Sequence, residues 1–107
     1  MKYWLIGLLL CSGCEEKQTS NLFSYGKEVG TVSKKLEEAS GLVASRANPD
    51  YFWTHNDSGN PAQIYLINNR AEIVMTCNLA NSKNRDWEDI TIGQGPEPGK
   101  SYLYVGD

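Results

Sequence analysis

From residue 36 onward, apolar and polar positions alternate in short runs separated by turn residues. Ser40–Ser45 is a short buried-type run, and Asn48-Pro49-Asp50 breaks it. Tyr51-Phe52-Trp53-Thr54-His55 is aromatic and β-branched, and Asn56-Asp57-Ser58-Gly59-Asn60-Pro61 ends it. Gln63–Ile67 and Ala71–Cys77 flank Asn68-Asn69-Arg70, a hairpin signal because Asn tolerates positive φ. The lysines and glutamates at 34, 35, 37 and 38 suit a helical turn just upstream. The pattern predicts an all-β fold whose first four runs form one antiparallel four-stranded unit.

The pattern then restarts. Trp87–Ile92 echoes Ala39–Ala44, and Ser101–Asp107 echoes Asp50–Asn56, with Gly93 to Lys100 between them as a Gly/Pro turn region. A repeat of about 40–50 residues with four strands each is the sequence mark of a β-propeller blade. The expectation is one blade and part of a second over 36–107, the N-terminal fragment of a larger ring, since the chain stops on a strand pattern.

The first residues read as an address. Met1-Lys2, then the apolar run Tyr3–Leu10, then Ser12-Gly13-Cys14 and an abrupt change to Glu15-Glu16-Lys17 describe a secretory signal over residues 1–13. The run is well short of the roughly 20 residues that span a bilayer. Small residues directly before Cys14 resemble the lipobox of bacterial lipoproteins, although Cys11 stands where Leu is usual. The resemblance implies acylation of Cys14 and a polar tether over 14–35 leading to the strands. An ordinary cleaved signal is the alternative. Glu15-Glu16 resembles the surface-export signals of some Gram-negative lipoproteins, and a solvated tether looks the same. The expected location is the bacterial envelope, at the outer membrane. Cys77 then stands alone in an apolar run and reads as a buried, inert thiol.

The formal net charge of -3 gives no basic stripe for nucleic acid. One His and three Cys supply neither a repeated zinc framework nor a Ser/His/Asp triad with a nucleophile elbow. Three polar clusters remain: Glu37-Glu38-Ala39-Ser40-Gly41, His55–Asn60 and Asp86-Trp87-Glu88-Asp89. Acidic residues at corresponding strand entries would converge if the units pack radially, and oxygen ligands suit a hard cation such as Ca²⁺. Each cluster also reads as a turn or a solvated strand end. Asn56-Asp57-Ser58 fits the glycosylation acceptor pattern, which a bacterial lipid signal makes coincidental.

Four motifs in order carry a wider resemblance: Glu38-Ala39-Ser40-Gly41-Leu42, Trp53-Thr54-His55-Asn56-Asp57-Ser58-Gly59, Asp86-Trp87-Glu88-Asp89-Ile90 and Tyr104-Val105-Gly106-Asp107. They resemble the opening of a family of secreted or lipid-anchored bacterial β-propellers. That family looks related to the six-bladed gluconolactonase-like, SdiA-regulated and phytase-like esterase groups. Arg70 departs from the pattern, standing where such repeats often carry Gly. The resemblance implies a divalent cation, Ca²⁺, held by Glu38, Asn56, Asp57, Glu88 and Asp107. Three functions follow as expectations. The first is a non-catalytic module binding an envelope protein or glycan. The second is a calcium-dependent esterase or lactonase, with Glu38 and Glu88 as its carboxylates and His55 orienting water. The third is a truncated product without function.

Overall fold

The computed structural model describes residues 24–107. The expected signal over 1–13 and the acylation site Cys14 lie outside the described residues. Residues 24–33 carry no strand or helix, and Lys34–Leu36 form one 3₁₀ turn capped by the Ser33 hydroxyl.

Six strands follow, all antiparallel to their neighbours. The first sheet holds β1 (Ala39–Ala44), β2 (Tyr51–Asn56), β3 (Gln63–Asn68) and β4 (Ile73–Asn78), in that spatial order. The second sheet pairs β5 (Asp89–Gln94) with β6 (Ser101–Gly106). The internal echo is present in the backbone: β5 and β6 begin 50 residues after β1 and β2, at 89 against 39 and at 101 against 51.

The β3–β4 hairpin corrects the expected strand start. β4 begins at Ile73, not Ala71, because Ala71 adopts the positive φ (63°) that closes the turn. The Asn68 side chain holds this turn, accepting from the backbone N–H groups of Arg70 (2.9 Å) and Glu72 (3.0 Å). A three-residue loop ending in a left-handed residue, with a bulge beside it, is a common hairpin geometry. The Glu72 carboxyl is held below its ordinary value, first by the Asn68 amide and then by Arg70. Cys77 is half-buried rather than buried, because β4 is an edge strand with one flank open.

The two faces of the first sheet have different fates. On one face, Phe52, Tyr65, Ile67 and Ile73 pack beneath Leu36, which is 1% exposed. The 3₁₀ turn is fastened there by Asn56 Nδ2, which donates to the Lys35 carbonyl at 2.6 Å. An open apolar cleft of about 320 Å³ lies beside it, lined in part by Val32, Leu36, Leu42 and Ile67. The opposite face presents Gly41, Val43, Trp53 and His55, and the second sheet packs on it, with β5 against β1 and β2. A lone two-stranded sheet is marginal in water. Here it buries Trp87 and Ile90, each 4% exposed. Burying one Ile-sized side chain contributes about 1.5–3 kcal/mol.

Candidate functional site at the strand ends

The site begins with a bulge. Ala39 pairs with Asn56 and Gly41 with His55, which leaves Ser40 as the extra residue in β1. The β5–β6 pair has no such bulge, so the first strand pairs of the two units differ here. Bulges re-aim side chains, and the Ser40 hydroxyl donates to the Trp87 carbonyl at 2.8 Å, tying β1 to the entry of β5.

His55 lies at the centre of this contact and is 0% exposed. Its Nδ1 sits 3.0 Å from the Asn56 carbonyl and 3.4 Å from Ser40 Oγ. Since a carbonyl only accepts, the network assigns the proton to Nδ1. Nε2 is buried without a partner. The ring meets the Trp87 indole edge-on, with centroids 5.7 Å apart and planes at 88°. Gly41 allows the close approach: a Cβ there would stand 2.8 Å from both the Ile90 nitrogen and His55 Nε2.

A chain of amides draws the segment before β5 onto the end of β2. Asn84 Nδ2 donates to the carbonyls of Asn56 (3.0 Å) and Asp57 (2.7 Å), while its Oδ1 accepts from the Trp87 N–H (3.1 Å). The result is a group of three carboxylates: Asp57, Asp86 and Glu88 each offer an oxygen within 4.8 Å of the others. Asp57 is half-buried, and the other two are exposed.

The remaining sequence candidates sit nearby but elsewhere. Glu38 Oε2 accepts from the Asn60 amide at 2.6 Å, and its carbonyl accepts from the Asp57 N–H at 2.9 Å. Asp107 Oδ1 accepts from the Asp86 N–H at 3.2 Å, so it braces the trio from behind. Asn56 is 5% exposed, with Oδ1 buried and unpaired. Its amide is therefore closed to glycosylation, whatever the sequence pattern.

No family model, curated protein or solved structure matches the chain.

Asp86, Asn84 and Ser40 are the participants that the sequence did not single out as ligands or braces. Asp86 had a readable signal, since it stands in the acidic cluster at the entry of the second unit. Asn84 and Ser40 act through the backbone, in a turn and a bulge, and leave no pattern in side-chain types. The donor set of the trio is oxygen only, which fits a hard cation and suits neither zinc nor copper. Calcium takes six to eight oxygens, so three carboxylates giving one oxygen each supply about half a shell, with second carboxylate oxygens, water or further groups completing it.

Proposed function

We propose that the chain belongs to a lipid-anchored, propeller-type binding module of the bacterial envelope, with Asp57, Asp86 and Glu88 as its calcium site. The observation that carries this reading is the carboxylate trio, built from both repeats across the packed sheets. A bound Ca²⁺ would offset two of the three negative charges held close together and lock the end of β2 to the entry of β5. The propeller assignment is supported by the 50-residue repeat of strand bounds and by the face-to-face stacking of successive units. His55 supports binding over catalysis. It is sealed under Trp87 and has no path to a substrate, so it acts as a structural ring. A second reading, hydrolysis of esters or lactones, draws on the same trio: a bound cation would polarise a carbonyl or lower the pKa of a bound water.

Calorimetric titration of the full chain tests the site. Calcium is expected to bind the native protein in the micromolar to millimolar range, and Glu88→Gln is expected to weaken binding at least ten-fold. Unchanged affinity in Glu88→Gln would remove the trio from the site. Calcium-dependent release of a chromogenic ester would move the assignment to the hydrolase.

The anchor rests on Ser12-Gly13-Cys14 and on the apolar run before it. Intact mass of protein extracted from membranes is expected to show a diacylglyceryl adduct that Cys14→Ala abolishes. An unmodified Cys14 in the membrane-extracted protein would contradict it.

A further inference from the structure

Residues 30–36 form a strap along the face of the first sheet opposite the second sheet. At one end Gly30 passes so close to the β3–β4 turn that a Cβ there would run into the Arg70 carbonyl. At the other end Leu36 is buried over Phe52, Tyr65, Ile67 and Ile73. The Leu36 N–H donates to the Ser33 carbonyl at 2.8 Å and the Glu37 N–H to the Lys34 carbonyl at 3.3 Å, which closes the turn.

Asn56 joins this strap to the opposite face. Alternation along β2 puts its side chain with that of Phe52, on the strap side, and Nδ2 donates to the Lys35 carbonyl at 2.6 Å. Its own carbonyl accepts from Asn84 Nδ2 at 3.0 Å, part of the contact that docks the second sheet. The next residue is gripped from both sides as well. The Asp57 N–H donates to the carbonyl of Glu38, just past the strap, at 2.9 Å, and the Asp57 carbonyl accepts from Asn84 at 2.7 Å. The strap and the entry of β5 therefore bear on the same two residues from opposite faces of the sheet. Asn56 is 5% exposed and its Oδ1 is already unpaired. Without the Lys35 carbonyl its amide would keep only a 3.4 Å contact to Asn60 Oδ1. A buried amide left so poorly paired is costly, so Asn56 must shift when the strap lifts, and Asp57 shifts with it.

We propose that the strap is a latch on the carboxylate trio, with Asn56 as the positioning residue between them. Docked, it holds the Asn56–Asp57 backbone where Asn84 meets it, and the Asp57 carboxylate stays beside Asp86 and Glu88. Lifted, it frees the end of β2 and the trio spreads. The strap continues the polar segment upstream of it, so a pull on that segment bears first on Leu36. Coupling of this kind is reciprocal: whatever tightens the trio also tightens the strap. The control of a cation rests on the calcium reading of the trio, whereas the control of the end of β2 does not.

The test is amide hydrogen exchange on the full chain, comparing the parent with Leu36→Ala, and calorimetric titration of both with Ca²⁺. Leu36 touches β2 and β3, so a strap that is only a cover would loosen the β2–β3 amides most. The latch instead predicts that the Asp57 and Trp87 amides of Leu36→Ala speed up about ten-fold more than those of β2 and β3. It also predicts that calcium binds Leu36→Ala several-fold more weakly, and that calcium slows the Leu36 and Glu37 amides of the parent. Equal acceleration at all these amides, or equal calcium affinity in the two proteins, would overturn the proposal. Absence of calcium binding to the parent, with Asp57 and Trp87 still speeding up selectively, would remove the calcium reading and uphold the latch. Asn56→Ala cuts the bond to Lys35 but keeps the carbonyl that Asn84 uses. Its Trp87 amide is expected to speed up as in Leu36→Ala, and an unchanged rate there would count against Asn56 as the link.

Discussion

Trp87→Ala is expected to detach the second sheet from the first. The substitution leaves the backbone groups at 87 in place, so the Ser40 and Asn84 hydrogen bonds to them remain available. What it removes is the indole that covers His55 and is itself 4% exposed. Truncating a buried aromatic side chain to Ala costs about 3–5 kcal/mol. Domains are stable by about 0.05–0.15 kcal/mol per residue, or roughly 4–13 kcal/mol over the described residues. The loss therefore consumes a large share of the total. Denaturant unfolding followed by circular dichroism should show a much lower midpoint, and Ser101–Gly106 should lose exchange protection before β2 and β3 do. Trp87→Phe keeps a ring edge against His55 and should lose less. A Trp87→Ala midpoint within error of the parent would mean that the sheets are held together by something else.

Gly41→Ala is expected to act on the same contact from the other side. A Cβ at this position would stand 2.8 Å from the Ile90 nitrogen and 3.1 Å from the Asp89 carbonyl carbon. Those are backbone atoms of β5 and cannot rotate away, so the second sheet must shift. Forcing a methyl group into a closed contact costs about 1–3 kcal/mol. Gly93→Ala is the control. The nearest atom to its added Cβ is on the Tyr104 ring at 3.4 Å, an ordinary contact with a side chain that can move. Parallel melting curves should place Gly41→Ala several degrees below the parent and Gly93→Ala close to it. Equal behaviour of the two would contradict the packing at Gly41.

The strands were largely legible in the sequence, and the reason is physical. Alternation of aromatic and β-branched residues, interrupted by Asn, Asp, Gly and Pro, is sufficient to mark six short strands where each buries one face or both. The turn at Asn68–Glu72 was legible as a turn but not in detail. Asn68 works through its side chain, and Ala71, rather than an asparagine, takes the left-handed conformation.

The candidate site was half legible. Asp57 and Glu88 stood out as acidic residues at strand ends, and the fold brings their carboxylates together. Glu38 and Asp107 carried the same signal but are taken by an asparagine amide and a backbone N–H. Residue type and spacing do not distinguish a carboxylate that caps from one that converges. The Ser40 bulge, the Asn84 clasp and the close approach at Gly41 are tertiary events, and they decide which carboxylates meet.

The trio and both substitutions depend on one arrangement: the second sheet packed on the His55 face of the first. Nuclear Overhauser spectroscopy on the folded chain measures it directly. The arrangement requires cross-peaks between the His55 ring protons and the Trp87 indole, whose ring centroids are 5.7 Å apart. Absence of those cross-peaks, with the β1–β2 cross-strand peaks intact, would contradict the account.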